Sequence, residues 1–301
     1  MTISRIDAND TAVFLAYCRA HRAEVDDSFL YDEDLAAFTP DSENPTVVAR
    51  ADRRIVGAAS LILDDYMRRG NRARFRIFHA ESGHEACYEA LFRAIIPLTA
   101  GVGRLYAYVQ EERAQQHAAM KALGFTAERL SFLLLREDKP IEKPRLPQGY
   151  TIAVYEPGRD APAWCAVRNA AFATLKGSET PITEDMADRG SSEAIPGGAM
   201  LLKAGDETVG IVRAEEDDVD GPAANIGPLA ILPAWQGKGL GRALLRAALR
   251  NAKEHGYGRA VLCVNGENQR AAALYLQEGF RQVEAVTCYR YDIGVVPPSI
   301  G

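Results

Sequence analysis

The 301-residue sequence contains no C-x-x-C pair: its five cysteines, Cys18, Cys87, Cys165, Cys263 and Cys288, are odd in number and widely scattered. That spacing excludes a disulfide framework and a zinc cluster, and it leaves the thiols as small buried hydrophobes. There is no H-E-x-x-H helix either, since His84 and Glu85 are followed by Ala86, Cys87 and Tyr88, so no bound metal is expected. No stretch approaches the roughly 20 apolar residues of a membrane span, which sets membrane partners aside. Residues 1–10 are acidic and polar rather than basic and then apolar, unlike a secretion signal, and a cytoplasmic location is expected. A basic excess is also missing. The formal net charge of -6 provides no field that draws nucleic acid, although it suits a cationic substrate as well as it suits solubility.

What is present is a globular composition, 47% hydrophobic and 25% charged, in a chain long enough for two domains of ordinary size. Residues 138–149 carry three prolines among alternating charges and read as an exposed extended linker between domains 1–137 and 150–301. The same signals recur on both sides of it. An alternating run from Thr46 meets a polar turn at Asp52-Arg53-Arg54 and then Ile55-Val56-Gly57; a second run from Met200 meets Gly205-Asp206-Glu207 and then Thr208-Val209-Gly210. Both patterns predict hairpins with a glycine in the second strand. Farther along, residues 118–125 parallel residues 273–280 at nearly the same offset, so two copies of one fold are expected.

Periodicity in the second copy predicts a strand at 150–155, helices at 161–173 and 183–188, the hairpin, an acidic turn at 216–221 that includes Asp220, and a strand at 224–232. A helix at 239–254 follows, with Leu240, Ala243, Leu244, Ala247 and Ala248 on one face and Gly256 closing it. A strand at 260–264, a helix at 268–278 and a last strand pair at 280–286 and 287–293 complete an α/β fold of the mixed-sheet α+β kind.

The most informative segment runs from Gly227 to Arg242, passing from a strand through a glycine-rich turn into a helix. Glycines at 237, 239 and 241 let the backbone approach an anion, and the first helical turn adds unpaired N–H donors and a positive dipole end. A pyrophosphate fits there, with Arg242 and Arg246 near enough to add charge-assisted bonds. Neither the dinucleotide pattern G-x-G-x-x-G nor the phosphate-loop pattern G-x-x-x-x-G-K-[ST] is met.

What does match is Gln-x-x-Gly-x-Gly at Gln236, Gly239 and Gly241, which resembles the acyl-CoA-binding motif of the GCN5-related N-acetyltransferase (GNAT) family. Downstream, Asn268-x-x-Ala271-x-x-Leu274-Tyr275-x-x-x-Gly279-Phe280 resembles that family's second signature. The resemblance covers residues 150–293 and implies tandem GNAT-like domains, the N-terminal one degenerate. It implies acetyl-CoA as cosubstrate and transfer of acetyl to the primary amine of a small molecule. Backbone groups of Leu229, Ala230 and Ile231 would hold the acetyl carbonyl and pantetheine amides. The N–H groups of Gln236, Gly237, Lys238, Gly239, Leu240, Gly241 and Arg242 would take the pyrophosphate, Asn268 the pantetheine arm, and Tyr275 would be the acid at the departing thiolate. The base stays open. Many relatives carry a carboxylate where Asn225-Ile226-Gly227-Pro228 stands, which leaves Glu215, Glu216 or a water relay.

Each assignment has a structural alternative: a mere tight turn for the glycines, a packed aromatic for Tyr275, an N-cap for Asn268, a solvated face for Arg242 and Arg246, and core packing for Trp164 and Trp235. The first copy departs where binding would occur. Gly83, Ala86 and Tyr88 stand in place of Gln236, Gly239 and Gly241, Arg113 replaces Asn268, and Met120 replaces Tyr275. It is therefore expected to be noncatalytic. A noncatalytic acyl-CoA-binding module, or transfer of a longer acyl group, are the competing functions; the sequence leaves the oligomeric state unknown.

Overall fold

A computed structural model of the chain describes residues 1–99, 101–218 and 221–294; Asp220 of the acidic turn lies outside them. Two compact units form, one from Met1–Ser131 with the chain from Ala285 onward, the other from Phe132–Glu284. The elements are β1 (Thr2–Arg5), α1 (Thr11–His21), α2 (Asp32–Ala36), β2 (Thr46–Ala51), β3 (Arg54–Ile62), α3 (Asp65–Arg69), β4 (Arg72–Ala80), α4 (Cys87–Ile95), β5 (Arg104–Gln110), α5 (Ala114–Ala122) and β6 (Thr126–Arg136). There follow β7 (Tyr150–Val154), α6 (Ala161–Phe172), α7 (Glu184–Ser192), β8 (Met200–Ala204), β9 (Glu207–Asp218), β10 (Pro222–Ile231), α8 (Leu240–Glu254), β11 (Arg259–Asn265), α9 (Gln269–Gln277) and β12 (Arg281–Asp292). The mixed α/β class expected from the sequence is the class observed.

In the second unit the strands lie in the order β6-β11-β10-β9-β8-β7, and only β10 and β11 run parallel among the pairs whose register is given below. Helices α8 and α9 cover one face, where Leu240, Leu244, Leu245, Ala248, Leu249 and Tyr275 are buried against Val212, Ala214, Ala224 and Ile226. The apolar stripe of α8 recurs every three or four residues, so burying it needs one face only, and each leucine contributes about 1.5–3 kcal/mol. Helices α6 and α7 cover the other face through Trp164, Cys165, Val167 and Ala187. The hairpin glycine has a packing reason. A Cβ at Gly210 would lie 2.5 Å from Ile231 Cδ1 and 3.1 Å from the Ala230 carbonyl oxygen.

The parallel pair is brief. β10 meets β11 only at Ala223–Arg259, Ala224–Ala260 and Asn225–Val261, after which the strands diverge. A register irregularity between Ile226 and Leu229 on the β9 side bends β10 at the same place. The first unit repeats this plan in the order β1-β2-β3-β4-β5-β12, and β4 meets β5 only at Arg72–Arg104, Ala73–Leu105 and Arg74–Tyr106.

Two expectations are corrected. Residues 281–292 form one strand, not a pair, and the chain passes between units inside β6 and β12 instead of at 138–149. Residues 286–292 pair with β5 of the first unit, while the end of β6, with Leu134, Leu135 and Arg136 buried, lies beside β11 of the second. The two copies have exchanged their last strands. Nor is the proline-rich segment a free spacer. The Arg136 guanidinium donates to the carbonyls of Pro140 (2.8 Å), Glu278 (2.9 Å) and Lys139 (3.3 Å), and Ile141 and Leu146 pack on the second core.

Expressed alone, residues 150–301 would leave β11 as an open edge and β12 without its β5 partner. We expect that fragment to aggregate or elute as a swollen species in size-exclusion chromatography, and co-expression with residues 1–149 to restore a soluble 1:1 complex. A monomeric, cooperatively folding fragment would contradict the exchange.

Candidate functional site

The divergence of β10 from β11 creates the site. Leu229, Ala230 and Ile231 pair with Val212, Ile211 and Gly210 of β9, but on the β11 side pairing has ended at Asn225. Their outward backbone groups are left for something other than the sheet. The Ile231 carbonyl is partly accounted for: Gln236 Nε2 donates to it at 3.0 Å, and Arg270 Nη1 donates to Gln236 Oε1 at 3.1 Å. Gln236 therefore ties the end of β10, the turn and α9 together, a side-chain role that the motif reading did not include.

Gly237 and Gly239 hold φ of 85° and 78°, the left-handed region that a side chain disfavours, and Gly239 is the N-cap of α8. The first helical bond runs from Ala243 N to the Gly239 carbonyl at 3.1 Å, so the N–H groups of Leu240, Gly241 and Arg242 precede it and point out of the helix start. A Cβ at Gly241 would make only ordinary contacts, 3.7 Å from Ile231 and 3.8 Å from Leu274, so packing does not require glycine there. Lys238 lies over the Trp235 ring at 4.4 Å, and Trp235 packs edge-on against Tyr150 at 5.9 Å.

The two arginines are placed differently from expectation. Arg246 makes a two-pronged pair with Glu278 at 2.7 and 2.8 Å and reaches Glu142 at 2.7 Å, while Arg242 Nε lies 3.2 Å from Glu278 Oε1 and its Nη2 bonds Gln277. They bind the last turn of α9 to α8, which fixes the angle between the two helices that border the cleft.

On α9, exposed Asn268 is the N-cap, its Oδ1 accepting from Ala271 N at 3.1 Å. Tyr275 is 8% exposed, packed edge-on against Phe280, and its hydroxyl has no polar partner among the described residues. Burial alone pushes its pKa up to about 12, so the phenol is protonated at every physiological pH.

One further residue escaped the sequence reading, and one of the open candidates for the base gains a place. Asn265, at the end of β11, accepts from Glu267 N at 2.9 Å, yet its Nδ2 is buried without a partner. The Asn-Gly pair at 265–266 signals a turn but not an orphan amide. Glu215 lies directly across from Asn225 in the β9–β10 register, half-buried, with Arg213 Nε 2.7 Å from its carboxylate. Burial raises its pKa, opposed by Arg213. Glu216 instead hydrogen-bonds the Tyr257 hydroxyl.

The first unit opens in the same way and is filled. Ala86 caps α4 at φ -60°, not left-handed, and Tyr88 packs edge-on against Phe78 at 5.0 Å where Gly241 would leave space. Arg113 has the backbone of Asn268, φ -88° and ψ 65° against -85° and 63°, but makes no side-chain cap. With Met120 buried at the Tyr275 position, the cleft shrinks to a cavity of about 20 Å³ lined by Phe75, Phe78, Tyr108 and Met120, room for about one water.

Residues 164–280 match the Acetyltransferase (GNAT) family. Mycothiol acetyltransferase of Thermobispora bispora is 32% identical over 199 residues, 64% of this chain and 67% of that protein. The protein of the same name from Streptomyces avermitilis is 30% identical over 202 residues, covering 64% and 65%. These matches span about two thirds of each relative's length. Among solved structures, a GCN5-related N-acetyltransferase from Sphaerobacter thermophilus superposes with a TM-score of 0.71 at 18% identity, covering 97% of this chain and 95% of that one. A tandem GNAT protein from the clavulanic acid biosynthesis pathway gives 0.73 at 16%, covering 98% and 99%. At such identities it is the fold that is shared.

Open space surrounds the missing Cβ of Gly239, so Gly239→Ala introduces left-handed strain without a clash. The expected loss is about 1–2 kcal/mol in urea denaturation, with the slope of the transition unchanged.

Proposed function

Because the chain belongs to the Acetyltransferase (GNAT) family, we propose that its second unit transfers acetyl from acetyl-CoA to the primary amine of a small molecule by direct attack on the thioester. The observation that carries this reading is the pairing of a backbone cradle, residues 237–242, with a buried phenol that has no polar partner among the described residues. In the proposed complex the N–H groups of the cradle hold the diphosphate, β10 from Leu229 to Ile231 lines the pantetheine arm, and Asn268 adds a donor to it. The amine nitrogen attacks the carbonyl carbon, a C–N bond forms, and the C–S bond breaks as the tetrahedral intermediate collapses.

Tyr275 stabilises the charge that develops on sulfur. With its pKa near 12 against about 8.5 for an ordinary thiol, it serves first as a hydrogen-bond donor, and burial widens a gap that a typical tyrosine would keep smaller. Glu215 is the carboxylate we assign to take the proton from the substrate ammonium, directly or through water, so that the neutral amine attacks. Its place opposite Asn225 puts a carboxylate one strand over from where many family members carry theirs. That favours the enzyme over a noncatalytic acyl-CoA-binding module. The first unit, its cleft filled, is proposed to be a noncatalytic copy. The two-copy plan resembles mycothiol synthase, and an amine of comparable small-molecule type is the acceptor class we propose.

Tyr275→Phe should bind one coenzyme A per chain with wild-type affinity by calorimetry and turn over about 10²–10⁴-fold more slowly; unchanged turnover removes the phenol from the mechanism. For Glu215 the sign is fixed by its raised pKa: the base form is lost as pH falls through a value above the usual carboxylate range. The acid limb of kcat/KM should therefore lie above pH 4.5, and Glu215→Gln should erase that limb while lowering kcat. A limb that survives in the variant assigns the proton to another group.

A further inference from the structure

The first unit holds a side-chain cluster that plays no part in acyl transfer. His21 ends α1, Glu24 lies in the 3-10 turn that follows, and His79 is the penultimate residue of β4. One donor atom from each comes within 4.8 Å of the others. Glu24 stands between the two rings: its Oε1 is 2.9 Å from His21 Nδ1 and its Oε2 is 3.3 Å from His79 Nε2. Ligand atoms bound to a tetrahedral zinc at about 2.0–2.1 Å lie about 3.3 Å from one another; the two carboxylate-to-ring distances of 2.9 and 3.3 Å approach that spacing or meet it, and the whole set lies within 4.8 Å.

We propose that His21, Glu24 and His79 bind a single divalent transition-metal cation of the zinc type. Proximity is only half of the case. Each imidazole of a metal site commonly directs its second nitrogen to an outer partner that fixes tautomer and orientation. Both rings do so. His79 Nδ1 is 2.7 Å from the Tyr17 hydroxyl, and His21 Nε2 is 3.5 Å from Glu81 Oε1, itself held by Arg54 at 2.5 Å. Two imidazoles and one carboxylate, with two nitrogens turned inward and two anchored outward, form the three-ligand set that leaves a coordination position for water.

Access and charge agree with this. His79 is buried, but the Glu24 side chain is 48% exposed, which gives a cation a route from solvent. The location also fits a copy released from coenzyme binding. β3 pairs Gly57 with Ala80 as β9 pairs Gly210 with Ile231, so His79 holds the position that Ala230 holds in the second unit. A ligating side chain has replaced a methyl beside the former acyl position.

The test is a competitive titration of chelator-stripped, full-length protein with Zn²⁺ alone, read by calorimetry and by elemental analysis after gel filtration. One equivalent is expected to bind. Glu24→Gln, which keeps a hydrogen-bonding side chain of the same size beside both rings, should weaken it at least about 100-fold, and Glu81→Gln by about 10–100-fold as an outer-partner loss, each variant's fold being checked by thermal denaturation without metal. His21→Ala should remove it, with thermal denaturation of the metal-free variant confirming the fold. Failure of the wild-type protein to compete with the chelator would overturn the proposal, as would an equivalent whose affinity is unchanged in Glu24→Gln, because the cation would then sit on other residues.

Discussion

Two parallel strands that pair for three residues and then separate leave a wedge of backbone donors and acceptors that no sheet neighbour can satisfy. An unpaired buried amide or carbonyl costs on the order of 1–3 kcal/mol, so the wedge must be filled by side chains, water or a ligand. Every feature of the site follows from how that demand is met. In the second unit β10 bends at the irregularity between Ile226 and Leu229, the turn beyond it carries glycine at 237, 239 and 241, and the wedge stays open. In the first unit the same divergence of β4 from β5 is stopped with Phe75, Phe78, Tyr88 and Met120.

Holding a wedge open requires rigid walls. The Arg246–Glu278 pair, largely hidden from solvent, locks α8 to the end of α9, and Gln236 links the tip of β10 to Arg270 on α9. Removing either partner of such a pair leaves an uncompensated charge in a poorly solvated place, so the geometry resists relaxation. The arginines near the glycine turn thus face Glu278 instead of the turn: they set the distance between helices, and the N–H groups at the start of α8 are left to the backbone alone.

Much of this was legible in the sequence because it is local. The hairpins at Asp52-Arg53 and Gly205-Asp206, the stripe on α8, the left-handed glycines and the Asn268 cap each depend on neighbours within a few residues, and the structure places all of them near their expected bounds. What sequence could not yield is long-range. The alternating pattern of residues 281–292 says that a strand exists but not that it belongs to β5, some 180 positions earlier, because period two encodes a face and not a partner. Arg246 meets Glu278 across 32 residues, and Glu215 meets Asn225 only once the length of the hairpin is known.

The contrast between Ala230 and His79 shows what a ligand demands of a sequence. Both residues stand one place before the end of equivalent strands, each beside the residue paired with the hairpin glycine. In the proposed complex a thioester arm running along β10 would tolerate only small neighbours on the adjoining face, and Gly227 and Ala230 comply. Where Tyr88 and Phe78 fill the equivalent space, that constraint on size is absent while the constraint on burial remains. A buried histidine then needs partners for both ring nitrogens, and Tyr17 and Glu24 supply them. The residues packed around His79 satisfy one another, and a set of nitrogen and oxygen donors that does so around a common point is already close to coordinating a cation.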